Sequence, residues 1–102
     1  MEHLFTYGTL QDHQVQQYVF GRILQGQTDF IMGFKRLENA VYGKYPLVAL
    51  TDNPADIVQG MVYEVSETDL KRADIYETSA YKREKFRLRS GMDAWVYLKN
   101  SK

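Results

Sequence analysis

Hydrophobic positions change their period along this chain, and the changes divide it into strands and helices. The run Leu4-Phe5-Thr6-Tyr7 predicts a first strand over Glu2 to Tyr7. Val15, Tyr18 and Val19 then recur at i, i+3 and i+4, the spacing of one helix face. This predicts a helix from about Asp12 to Phe20, with Gly21 placed to end it. A β-rich middle follows: Gln27 to Leu37, a short piece at Asn39 to Tyr42, and Tyr45 to Leu50. Asp52-Asn53-Pro54 turns the chain. Ile57 to Val65 reads as a strand with Ile57, Met61, Tyr63 and Val65 on one face. Gly60 inside it marks a bulge or the close approach of another group. Ser66-Glu67-Thr68-Asp69 has an acid three residues after a serine, a helix start, and the helix is expected to reach about Tyr76. Strands at Tyr81 to Arg89 and Ala94 to Lys99 join through Ser90-Gly91-Met92-Asp93, a hairpin signal.

The predicted order is β-α-β-β-β-α-β-β. It implies an α+β class: a single small domain over residues 1–102, with one mixed sheet, curled or closed like a barrel, and two helices packed on it. Helices do not follow every strand, so a doubly wound fold is excluded.

Composition narrows the function. The chain is 44% hydrophobic and 25% charged, so it is built to fold rather than stay disordered. Thirteen basic residues balance thirteen acidic ones, which weakens nucleic-acid or membrane binding driven by bulk charge. With no cysteine there is no disulfide, thiolate metal site or thiol nucleophile. No basic region followed by an apolar stretch opens the chain, and a cytoplasmic protein is expected. His3 and His13 lack metal-ligand spacing and read as surface or strand-end residues. Arg83, Lys85, Arg87 and Arg89 alternate along one strand, either as a stripe for an anionic partner or as a solvated face opposite Phe86 and Leu88. The neutral total charge favours the solvated face. Tyr42, Tyr45, Tyr63, Tyr76 and Tyr97 are many for so small a core; several are expected to line a cavity or reach its mouth. Ile31, Phe34 and Leu37 are either core or an exposed patch for self-association, so the chain is a monomer or a weak homodimer.

Two places could carry chemistry. Tyr7-Gly8-Thr9-Leu10 puts a glycine where a strand becomes a loop. The loop is either a plain strand-ending turn or a concavity of backbone N–H groups that suits a carboxylate or an oxyanion. Leu70, Ala73 and Glu77 fall on one stripe of the second helix. Glu77 is then either drawn inward at the helix C-terminus or leans into solvent. If inward, burial and the helix dipole both raise its pKa, the direction a general base near neutral pH needs. Asp74, further round that turn, reads as a solvated partner of Lys71 or Arg72.

Tyr7-Gly8-Thr9-Leu10 after a first strand resembles the signature of the γ-glutamylcyclotransferase-like, or AIG2-like, family. The likeness continues in family order through Tyr45-Pro46-Leu47-Val48, Val58 to Val65, Leu70 to Glu77, Tyr81-Lys82-Arg83 and Ala94 to Tyr97. It spans nearly the whole chain and is nearest the small bacterial members and γ-glutamylamine cyclotransferase. The resemblance implies a small mixed β-barrel with flanking helices and a cavity at one end. It implies a small-molecule γ-glutamyl substrate, 5-oxoproline and a free amine or amino acid as products, and no cofactor or metal. By the same resemblance, Tyr7, Gly8, Thr9 and Leu10 would hold the γ-glutamyl head group, Glu77 would be catalytic and Tyr81 would lie near the pocket. Gln11-Asp12-His13-Gln14 departs from the basic or glycine-rich stretch of many relatives. A chain ending soon after its last strand is expected to lack the tail that covers the cavity in some of them. These departures leave the substrate open. They also motivate an alternative, a catalytically silent small-molecule binding or regulatory module on the same fold.

Overall fold

The computed structural model describes residues 1–100, so the last two residues of the expected domain lie outside it. Seven strands and two helices follow in the order β1 (Glu2–Thr6), α1 (His13–Phe20), β2 (Gly26–Met32), β3 (Phe34–Val41), β4 (Tyr45–Leu50), β5 (Ile57–Val65), α2 (Glu67–Glu77), β6 (Tyr81–Arg87) and β7 (Asp93–Lys99). Four strands, not three, lie between the helices. The predicted strand from Gln27 to Leu37 breaks at Gly33, whose φ of 81° is open to glycine and costly for other residues. The piece expected at Asn39 to Tyr42 is the end of β3.

The main sheet is mixed, with order β2-β5-β1-β7-β6. β1 lies at its centre, antiparallel to β5 and parallel to β7, so the first and last strands of the chain are neighbours. Leu4 and Phe5 on β1 are fully buried, one facing each side of the sheet. Both helices cover one side, where Val19, Phe20, Leu70 and Ala73 pack on Leu4, Tyr63, Val65 and Tyr97. The β3–β4 hairpin covers the other, bringing Phe34 and Val48 against Phe5, Val58, Val62 and Val96.

The ladders do not close into a barrel. Past the end of β6, however, the Arg89 N–H donates to the Phe30 carbonyl at 2.8 Å. Beside it the Ser90 hydroxyl donates to the buried Asp29 at 2.5 Å. The sheet is curled until its two edges touch at this one place.

Local chemistry sets the helix limits. Asp12 caps α1 by accepting from the Gln14 and Val15 N–H groups, and Gly21 ends it. Ser66 and Asp69 form a reciprocal capping box that starts α2. Gly60 marks a close approach rather than a bulge: a Cβ there would sit 2.3 Å from the Thr6 carbonyl oxygen. Because β5 is covered on both sides, Val58 and Val62 are buried as well as Tyr63 and Val65, while Ile57 at its start is exposed. Ile31 and Phe34 are core and Leu37 is exposed. Tyr18 is exposed too, and the inward face of α1 runs through Gln16, Val19 and Phe20 instead. No helix among the described residues is long and apolar enough to cross a membrane.

Candidate active site

β1 delivers the chain to one end of the sheet, where it leaves as Tyr7-Gly8 and a single 3-10 turn, Thr9–Gln11. α2 ends at the same place with Glu77. The chain end of β3, the start of β4 and the start of β6 complete the walls of a cavity of about 290 Å³. Tyr7, Gly8, Thr9, Leu10, Glu77 and Tyr81 all line it. Tyr42, Tyr45, Tyr76 and Tyr97 line it too, whereas Tyr63 is buried in the helix-side core.

The loop is held from several elements at once. The Tyr7 hydroxyl donates to the Tyr97 carbonyl at 2.5 Å, and the Arg36 guanidinium donates to the Tyr7 carbonyl. Thr9 and Tyr76 share a hydroxyl–hydroxyl hydrogen bond of 2.9 Å, tying the loop to the end of α2. Gln16 on α1 donates to the Leu10 carbonyl at 2.9 Å and accepts from the Leu24 N–H at 2.9 Å. A Cβ at Gly8 would lie 3.3 Å from the Pro46 ring, so the glycine lets the β4 strand pack tightly on the loop. The Tyr81 hydroxyl donates to the Pro46 carbonyl at 2.9 Å and secures that strand from the other side.

Glu77 faces the cavity half-buried. Leu70 and Ala73, earlier on its stripe, are buried in the core and fix the helix face that Glu77 continues. None of the side-chain hydrogen bonds or ion pairs among the described residues involves its carboxyl group. Desolvation without a compensating cation pushes its pKa up to about 7. The nearby phenols are pushed up as well, chiefly by burial and partly by the Glu77 charge, Tyr81 to about 12. They therefore stay protonated at neutral pH and serve as donors.

The helix ends sharply after this carboxylate. Thr78 follows with φ 65°, a conformation that β-branched residues rarely adopt. It is held by its N–H donating to the Asp74 carbonyl at 3.0 Å and by its own carbonyl accepting from the Tyr81 N–H at 3.3 Å.

Asp74 does not pair with Lys71 or Arg72. It accepts two hydrogen bonds from Arg83, at 2.5 and 2.8 Å, and one from the Tyr97 hydroxyl at 2.7 Å. These bonds hold its carboxyl below the usual range against the opposing effect of burial. The basic row on β6 is thereby drawn into the protein's own contacts. Arg83 pairs with Asp74, Lys85 with Glu2 and Arg87 with Asp93, while Arg83 and Lys85 also lie over the Trp95 ring.

The family model for gamma-glutamyl cyclotransferase, AIG2-like proteins matches residues 4–102. This chain belongs to that family. No curated protein matches it in sequence. Among solved structures, an Arabidopsis thaliana protein studied in solution superposes with a TM-score of 0.82 at 20% identity, over 97% of this chain and 62% of the other. A structure named gamma-glutamyl cyclotransferase gives 0.77 at 16% identity, over 96% of this chain and 66% of the other. An AIG2-like protein from mouse gives 0.75 at 23% identity, over 100% and 79%. At these identities the likeness establishes the fold. The chain thus spans less than two thirds of the length of the Arabidopsis protein.

The family's small α+β fold accounts for how distant segments meet at one cavity. Thr6, a wall residue, looks in the sequence like one more strand residue. The Asp74–Arg83–Tyr97 cluster joins side chains from three different elements. Only the alternation of Arg83 with its neighbours hinted that its side chain would share a face with Trp95 across the β6–β7 ladder.

Proposed function

We propose that this protein is a γ-glutamyl cyclotransferase, releasing 5-oxoproline and a free amine or amino acid from a small γ-glutamyl compound. The observation that carries the reading is Glu77, a carboxyl group with no protein partner, titrating at about 7, on the wall of a cavity shared with Tyr7 to Leu10.

The reaction is an intramolecular aminolysis. The substrate's α-amine attacks its own γ-carbonyl carbon, a new C–N bond closes the five-membered lactam, and the C–N bond to the departing amine breaks. The attacking nitrogen must lose a proton and the leaving nitrogen must gain one. Glu77 takes the first proton as base and returns it as acid, a cycle favoured by a pKa near the working pH. The Tyr7 to Leu10 loop holds the head group, and its backbone N–H groups stabilise charge on the carbonyl oxygen. Holding the substrate folded back removes much of the entropic cost of ring closure. Tyr81, whose hydroxyl is committed to Pro46, contributes its ring to the wall. The chemistry calls for no metal or organic cofactor.

The decisive experiment is 5-oxoproline release from a panel of γ-glutamyl amino acids and γ-glutamyl amines, with Glu77→Gln alongside. Release is expected from the wild type, reduced by roughly 10²-fold or more in the variant. A folded wild type that releases nothing from any panel member would overturn the reading in favour of the binding module. Equal turnover by the variant would remove Glu77 as the acid–base group.

A further inference from the structure

We propose that the Thr6 hydroxyl is a substrate contact, binding the glutamyl part of the ligand at the floor of the cavity. This rests on the γ-glutamyl reading above and extends it to a residue outside the Tyr7–Leu10 loop.

The hydroxyls of the other threonines in the cavity wall, and of Tyr7, Tyr76, Tyr81 and Tyr97, have partners within the protein. The Tyr7 hydroxyl is spent on the Tyr97 carbonyl, the Tyr97 hydroxyl on Asp74, and the Tyr81 hydroxyl on the Pro46 carbonyl. Thr9 is paired with Tyr76, and the Thr78 hydroxyl accepts from the Ala80 N–H. Apart from the exposed Tyr42 and Tyr45, two groups remain, Glu77 and Thr6. Thr6 is 5% exposed, and its Oγ1 is the one buried side-chain polar atom among the described residues that meets no donor or acceptor. A hydroxyl buried without a partner is costly, and valine in its place would fill the same volume at no such cost. A ligand atom arriving in the cavity would supply the missing hydrogen bond.

Depth selects which part of the ligand this is. Thr6 ends the central strand and is buried, whereas Tyr42 and Tyr45, across the same cavity, are 74% and 42% exposed. The glutamyl head group, which must reach both the loop and Glu77, therefore sits at the Thr6 end. The departing amine lies toward the tyrosines at the mouth. A hydroxyl both donates and accepts, so it suits a head group that carries an amine and a carboxylate together.

The test compares Thr6→Val and Thr6→Ser with the wild type in thermal unfolding, in steady-state turnover, and in stabilisation by added 5-oxoproline and L-glutamate. Thr6→Val is expected to unfold at the same temperature as the wild type or higher. Its KM is expected to rise about tenfold, the size of one lost hydrogen bond. Its order of preference among leaving amines should be unchanged, and Thr6→Ser should recover most of the loss. Unchanged KM and unchanged ligand stabilisation in Thr6→Val would overturn the proposal. So would a Thr6→Val protein that loses stability without ligand, because the hydroxyl would then be structural. If the wild type shows no turnover, the cyclotransferase reading fails alone provided either ligand stabilises the wild type and not Thr6→Val. A wild type that neither ligand stabilises and that turns nothing over ends both.

Discussion

At the scale of single residues the behaviour of this protein turns on a carboxyl group kept away from cations. Glu77 is desolvated, and its pKa is about 7 rather than about 4.5. In the proposed mechanism Glu77 must be ionised to act as base, so kcat/KM is expected to rise with pH through an inflection near 7 and level off by about pH 8. A pH–rate profile checks this, and a flat profile between pH 6 and 8 would contradict it. The same shift has a stability consequence of opposite sense. A carboxyl whose folded pKa is raised favours the folded state below its unfolded pKa, and that advantage is lost as pH rises from about 4.5 to 7. Glu77→Gln is therefore expected to be more stable than the wild type at pH 8, by on the order of 1–3 kcal/mol, with the difference vanishing near pH 4. Chemical denaturation at the two pH values measures it. The stripe of Leu70, Ala73 and Glu77 was legible in the sequence because helical periodicity is local. Whether an opposite charge would meet the carboxylate was not, because the candidates come from other elements.

At the scale of elements, helix α1 shows how a polar residue can hold a site together. Its apolar pattern pointed to Val15, Tyr18 and Val19, yet Gln16 is the fully buried residue and Tyr18 points outward. Gln16 bridges the Leu10 carbonyl and the Leu24 N–H, closing hydrogen bonds that irregular backbone on either side of the helix could not close by itself. Gln16→Leu keeps the volume but orphans both groups. It is expected to cost about 2–4 kcal/mol, read from urea unfolding, and to impair turnover by loosening the end of the Tyr7–Leu10 loop. A variant as stable as the wild type would show that the loop holds its shape without this clamp. Hydrophobic periodicity could not reveal the bridge, since it scores glutamine as a surface residue.

Across the whole molecule, the two helices are joined by ion pairing at the start of α2. Arg22, just past α1, donates to both oxygens of Asp69, at 3.0 and 2.7 Å, and Asp69 also completes the capping box with Ser66. The Arg22 guanidinium, followed by the Ser66 hydrogen bonds, brings the Asp69 carboxyl down from 3.8 to about 2. A lowered carboxyl pKa stabilises the fold above its unfolded value, and this contribution disappears as pH falls from about 4 to 2. Asp69→Asn is expected to be less stable at pH 7 by about 1–2 kcal/mol, the low figure reflecting a half-exposed Arg22. That difference should shrink toward zero at pH 2, as seen by thermal unfolding across the range. A constant difference would place the stabilisation in the cap geometry rather than in the charge. This corner anchors the start of the helix that carries Glu77 at its other end.

By itself the sequence determined what depends on neighbours in the chain. It specified both limits of α1 through Asp12 and Gly21, the start of α2 through the Ser66–Asp69 box, the β6–β7 hairpin, the stripe of α2 that carries Leu70, Ala73 and Glu77, and the family through an ordered series of short segments. Tertiary structure decided what depends on long-range pairing. The first and last strands lie side by side, Gly33 splits one predicted strand into two that face different partners, and the curled sheet brings its edges together where Arg89 and Ser90 meet Phe30 and Asp29. The same pairing brought Asp74 to Arg83 and left the buried Thr6 hydroxyl and the Glu77 carboxyl without a protein partner in one cavity wall. Local propensity and periodicity act over a few residues. Burial, hydrogen-bond satisfaction and charge depend on everything packed nearby, and that is decided only when the chain has folded.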